Sequence, residues 1–109
     1  MSLTDLSEEE RRVVLECLRA SLEGPFFPEC EFTSLFGITR SDLARIVMAW
    51  PAVDEHADVV GLAINNSMNN LLGYPHRCEG EWSRFLSVPR QEVERIYLKW
   101  CSRGARGLR

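Results

Sequence analysis

The sequence predicts an all-α fold of six helices, built as two tandem three-helix repeats of about 50 residues packed about a pseudo-two-fold axis. Three observations carry this. Residues 37–50 align without a gap over residues 87–100, with Arg40/Arg90, Arg45/Arg95, Ile46/Ile96 and Trp50/Trp100 identical and Leu43/Val93 and Met48/Leu98 conservative. Upstream, Pro25/Pro75, Glu29/Glu79, Glu31/Glu81 and Phe32/Trp82 keep the same offset. Apolar residues recur at helical spacing between helix caps and breakers, and no run of alternating β-branched residues is bounded by hairpin turns.

Each element has its own local cause. Ser7 and Glu10 form a capping box, with Glu8 and Glu9 at the positive end of the helix dipole. Val14, Cys17, Leu18 and Leu22 give that first helix an inward face, and Gly24-Pro25 ends it. Phe26-Phe27-Pro28 forms a stiff apolar connector to a short helix over Glu29–Phe36, which stops at Gly37. Thr39 caps a third helix with Leu43, Ile46, Val47 and Trp50 inward, and Pro51 terminates it. In the second repeat, Asp54 is the expected cap of a long helix reaching Leu72, where Gly73 and Pro75 end it. A short helix follows from Cys78 to Leu86. Ser87 is the expected cap of the last, with Pro89 in its first turn and Val93, Ile96, Tyr97 and Trp100 inward.

The organisation expected is one helical domain over residues 1–109: repeat 1 (1–50), repeat 2 (51–100) and a basic tail (101–109). Its charge is uneven, −4 over the first repeat, −2 over the second and +3 in the tail. An acidic body disfavours nonspecific binding to phosphate backbones. No apolar run reaches the length of a membrane span, and the first residues lack a secretory pattern, so no membrane and a cytoplasmic location are expected. Cys17, Cys30, Cys78 and Cys101 are widely spaced, as in a reduced protein. His76, Cys78, Glu79 and Glu81 do not complete a tetrahedral metal set, and no cofactor is expected.

The offset of 50 also sorts candidate functional residues, because features needed twice belong first to the scaffold. Under that rule the paired tryptophans, prolines and arginines are structural, the arginines pairing with nearby acids. The strongest asymmetry is Asn65, Asn66, Asn69, Asn70, Tyr74 and His76. Four asparagines inside a helix run against propensity, since the amide competes with the backbone. They form two rows, Asn65/Asn69 and Asn66/Asn70, suited either to holding the connectors 24–29 and 73–79 or to recognising a partner.

The expected function is therefore that of a non-enzymatic protein–protein interaction or regulatory protein. Its partner surface is expected at Asn65, Asn66, Asn69, Asn70, Tyr74 and His76, its partner is unidentified, and homodimerisation is compatible with the pattern. One alternative is a small enzyme centred on His76, with Cys78 or Cys30 as nucleophile. The other rests on residues 32–47, which resemble a helix-turn-helix: a short helix, the Gly37 turn, then a helix capped by Thr39. That resemblance implies a DNA-binding regulator contacting the major groove through Thr39, Arg40, Ser41 and Arg45. The counterpart in the second repeat, beginning at Pro89, carries Glu92 and Glu94 on the same helix.

Overall fold

Ser7 accepts from the Glu10 amide while the Glu10 carboxylate accepts from the Ser7 amide, and this capping box starts α1 (Glu8–Glu23). The computed structural model describes the backbone of residues 2–107 and side chains through Ser102. Over that range the chain is all-helical: α1, α2 (Glu29–Phe36), α3 (Arg40–Ala49), α4 (Asp58–Gly73), α5 (Trp82–Phe85) and α6 (Arg90–Gly107). Single 3-10 turns at Leu3–Asp5 and Glu79–Glu81 precede α1 and α5.

Several local expectations hold. Thr39 and Asp42 form a second capping box at α3, and Gly37 adopts the left-handed φ of 71° that ends α2. Phe26 and Phe27 are buried, so the connector is part of the core. Others need correction. Asp54 does not cap α4; it accepts from the His56 amide in a turn, and α4 starts four residues later behind Ala57. Ser87 gives both its amide and its hydroxyl to Glu16 of α1, and α6 begins at Arg90. The predicted helix over 78–86 is reduced to a 3-10 turn and the single turn α5, with Gly80 in the middle of it. α6 continues to Gly107 instead of ending near Trp100, and the arginine side chains of the basic tail lie outside the described residues.

α1 and α4 form the most extensive contact between elements, and the other helices pack around this pair. α3 and α5 lie on α1, while α2 and α6 lie on α4. Both central helices bury small side chains, Cys17, Ala20 and Ser21 on α1 and Ala63 and Ser67 on α4, which allows close approach of neighbouring backbones. Larger groups fill the space around them: Leu18, Phe26, Phe32 and Phe36, with Ile64, Met68, Leu71 and Ile96. Phe32 and Phe36 stack with centroids 4.3 Å apart. The radius of gyration, 13.1 Å, is that of a well-packed chain of this length.

Gly24 is needed for a close approach. A Cβ there would lie 2.6 Å from the Ala20 carbonyl oxygen and 2.8 Å from the Phe26 ring. Gly61, inside α4, has open space where its Cβ would stand. Gly24→Ala is therefore expected to lower stability by about 2 kcal/mol. Gly61→Ala is expected to raise it by about 0.5–1 kcal/mol, because only the helix propensity changes. Urea denaturation of the two variants checks both signs.

Glu10 joins the beginning of α1 to α6. Its carboxylate is largely buried and receives Lys99 at 2.8 Å and Arg95 at 2.9 Å as well as the Ser7 amide. The Lys99 hydrogen bond, followed by the Ser7 amide and against the cost of burial, holds the Glu10 carboxyl down to about 2. A carboxyl lowered on folding stabilises the fold above its ordinary value near 4.5, and that contribution fades as pH falls toward 2. Its partners are half exposed, so screening limits the effect to about 1–2 kcal/mol. The difference in urea midpoint between the wild type and Glu10→Gln should thus stay level from pH 6 to about 5 and shrink from there to pH 2.5. A difference constant over that range would remove the charge from the explanation.

Candidate functional site

The helical pitch separates the two asparagine rows of α4. Asn66 and Asn70 face α2, where their amide nitrogens donate to the carbonyl oxygens of Phe36 (2.8 Å) and Leu35 (3.0 Å). These are carbonyls of the last turn of α2, left without intrahelical partners by the helix end. Both side chains thus act as caps from outside the helix, and they hold the end of α2 instead of the expected connectors. Asn65 and Asn69 lie on the row facing α6. Asn65 accepts from the Tyr97 hydroxyl at 2.8 Å and donates to Asn66. Asn69 is exposed and makes no side-chain hydrogen bond among the described residues.

His76 and Tyr74 occupy the connector after α4. The His76 Nδ1 accepts from the Cys78 amide at 3.0 Å, so its Nε2 carries the proton and donates to the Leu71 carbonyl at 3.1 Å. The bend between them passes through Arg77, whose φ of 59° is in the left-handed region. The imidazole stands edge-on to Phe26, with centroids 4.9 Å apart. The Cys78 thiol donates to the carbonyls of His76 and Pro25, and no His76 ring nitrogen is turned toward it. Both nitrogens of the imidazole are thus committed to backbone, which leaves neither to serve as a base for Cys78. The Tyr74 hydroxyl donates to Glu31 at 3.0 Å, and desolvation together with that carboxylate raises its pKa. Cys17 is fully buried and burial pushes its thiol up, as befits an inert core thiol. Among the described residues no group of three or more His, Cys, Asp or Glu side chains is placed to hold a metal ion. No described helix is long and apolar enough to cross a membrane.

The helix-turn-helix elements exist at α2 and α3, but their polar groups are engaged within the chain. Arg40 donates to the carbonyls of Leu22 and Phe27, pairs with Glu29 and lies 4.4 Å from the Phe32 ring centroid. Thr39 is engaged in its capping box and Arg45 with Asp42, although both are exposed, and Ser41 is exposed without a side-chain hydrogen bond among the described residues. Arg90, fifty residues after Arg40, donates to the Leu71 carbonyl.

One open surface is the seam between α4 and α6, which the expected site residues touch only at Asn65 and Asn69. Near the start of α4 it is a groove of about 690 Å³ floored by Gly61, Leu62 and Trp100, with Glu55, His56 and Asp58 at its rim. Near the end of α4 it is a groove of about 340 Å³ between Asn69, Leu72 and Gly73 on one side and Arg90, Tyr97 and Leu98 on the other. The Tyr97–Asn65 hydrogen bond bridges the seam between them. Leu62 on α4 and Leu98 on α6 are exposed large apolar side chains of this seam, whereas the exposed Val59 lines a separate groove against α3. Sequence reasoning counted Leu98 among repeat-pair scaffold positions and gave Leu62 no role; breaks in the inward-facing pattern at these positions were the available signal.

No protein-family model, curated protein or solved structure matches this chain.

If Asn66 and Asn70 serve α2, their loss is felt in stability. Asn66→Ala and Asn70→Ala are each expected to cost about 1 kcal/mol, because each removes a hydrogen bond to a part-buried carbonyl. Asn69→Ala is expected to be neutral within about 0.5 kcal/mol. Chemical denaturation of the three single variants reads this ranking directly.

Proposed function

We infer that the chain is a duplicated helical domain acting as a non-catalytic protein–protein interaction module in the cytoplasm, with the α4–α6 seam as its partner surface. Duplication is supported by reciprocal contacts at the offset of 50. The short helix of each repeat packs on the long helix of the other, α2 on α4 and α5 on α1. Glu16 and Asn66, fifty apart, each bond the end of the other repeat's short helix, Glu16 at Ser87 just after α5 and Asn66 at Phe36, the last residue of α2. Phe26 and His76, also fifty apart, meet ring to ring. A two-fold exchange of short helices accounts for all three, and it buries faces that a single repeat is too small to cover.

The observation that carries the interaction reading is the exposure of Leu62 and Leu98 in the two grooves of the α4–α6 seam, the second of them beside Asn69, whose side chain makes no hydrogen bond among the described residues. Apolar side chains exposed along grooves between helices are characteristic of surfaces that meet a partner. Widely spaced free cysteines agree with a reducing location. Of the expected site residues, Asn69 belongs to this reading directly and Asn65 through its bond to Tyr97, whereas Asn66, Asn70 and Tyr74 bond α2 and His76 bonds the backbone on either side of it.

Affinity capture from extracts of the native host tests the reading. Proteins retained by the wild-type chain should be lost from a Leu62→Glu/Leu98→Glu variant that keeps its helical circular dichroism, while Met48→Glu, on exposed α3, should retain them. An unchanged set of captured proteins with the double variant would overturn the assignment of the seam.

A further inference from the structure

Neither half of this chain completes its own packing. Within residues 1–50 α3 packs on α1, and within the second half α6 packs on α4. The remaining major helix contacts cross between the halves: α1 on α4, α2 on α4, α5 on α1 and α3 on α4. Polar contacts cross as well. Glu10 of α1 receives Lys99 and Arg95 of α6, Tyr74 donates to Glu31, and Ser87 donates to Glu16. The short helices α2 and α5 are therefore arms, each fastened to the other half. The covalent link between the halves is the segment 50–57, and none of its residues is fully buried. Glu55 ties that segment to the Leu3 amide.

Arms that reach across to another unit's core are the geometry of an exchanged pair, and here both units belong to one chain. The same contacts form when the second unit comes from another copy, because they do not depend on the path of residues 50–57. We propose that two copies of this chain associate by exchanging repeats, repeat 1 of each copy completing repeat 2 of the other. The occupant is fixed by the interface: every face that opening the chain uncovers is already complementary to a second copy. A single repeat is too small to cover its apolar faces, so the open chain does not persist alone. A short linker holds the two repeats at an effective concentration of about 1 mM, so the closed monomer prevails in dilute solution. Exchange takes over when the chain refolds near that concentration, or when the linker is too short to turn back. Leu62 and Leu98 both belong to repeat 2, so exchange leaves the α4–α6 seam whole and presents it twice. A partner with two binding segments then gains avidity over a single seam. This proposal rests on the duplication reading and adds a second copy of the chain as a partner.

Two full-length variants read the exchange. Leu18→Asp and Met68→Asp each place a charge at a fully buried position, one in each repeat. Each variant alone should lose its helical circular dichroism. Refolded together in equal amounts, the intact repeat 1 of one chain and the intact repeat 2 of the other should build one native lobe. About half of the wild-type helical signal should return, in a species that sediments as two chains. A mixture as unfolded as its components would overturn the proposal. Deletion of residues 51–57 gives a second reading, because it joins Trp50 to Asp58 and helix–helix connections need about two residues or more. That variant should be a helical dimer at micromolar concentration, whereas a glycine–serine linker of the natural length should keep the chain monomeric. A folded monomer or an unfolded chain after the deletion counts equally against exchange. If either aspartate variant stays folded alone, the deletion decides. Extract capture by the wild type, and its loss with Leu62→Glu/Leu98→Glu, does not depend on these outcomes and tests the interaction reading separately.

Discussion

The pairing of α1 with α4 is the constraint on which the rest of the molecule depends. Both helices are sixteen residues long, and each carries small, fully buried side chains near its middle: Cys17, Ala20 and Ser21 on one, Ala63 and Ser67 on the other. Small groups let helices come close, and closeness leaves each helix two flanks to be covered. α3 and α5 cover α1, and α2 and α6 cover α4. Large residues such as Phe26, Phe32, Phe36 and Met68 then fill the space that the small ones leave open.

Polar groups in this arrangement chiefly satisfy helix ends. α2 is short, and its last carbonyls are met by Asn66 and Asn70 from α4. The last turns of α1 and α4 give carbonyls to Arg40 and Arg90. Glu10 ties the start of α1 to α6 through Lys99 and Arg95. Short helices have a high proportion of unsatisfied ends, so a six-helix chain of this size needs such side-chain partners more than a bundle of long helices does. Residues unusual in a helix are thereby explained without chemistry on a substrate. His76 belongs with them: its imidazole replaces a turn of backbone hydrogen bonds and seals Phe26.

The seam between α4 and α6 follows a different logic. Its exposed Leu62 and Leu98 alternate with polar groups at both ends, Glu55, His56 and Asp58 near the start of α4 and Asn69, Arg90 and Glu94 near its end. The same helix thus uses one row to support α2 and an adjacent row to present a surface. A rotation of about 100° per residue separates these tasks with the minimum of sequence, which is why consecutive asparagines, Asn65 and Asn66, serve different neighbours.

The sequence by itself determined the helical character, the capping boxes at Ser7 and Thr39, the stop at Gly37 and most of the inward faces. These depend on contacts within a few residues, where spacing and local hydrogen bonding decide. It also singled out the asparagines of α4 as anomalous, since poor helix formers are visible without any fold. Only the tertiary structure decided which carbonyls they serve, because Leu35 and Phe36 reach Asn70 and Asn66 across more than one connector. It likewise decided that Ser87 would bind Glu16 instead of capping α6, and that Arg40 would turn inward to α1. Such outcomes turn on which helix lies alongside which, and that is set by the packing of α1 on α4, a contact between segments 50 residues apart that no local pattern encodes.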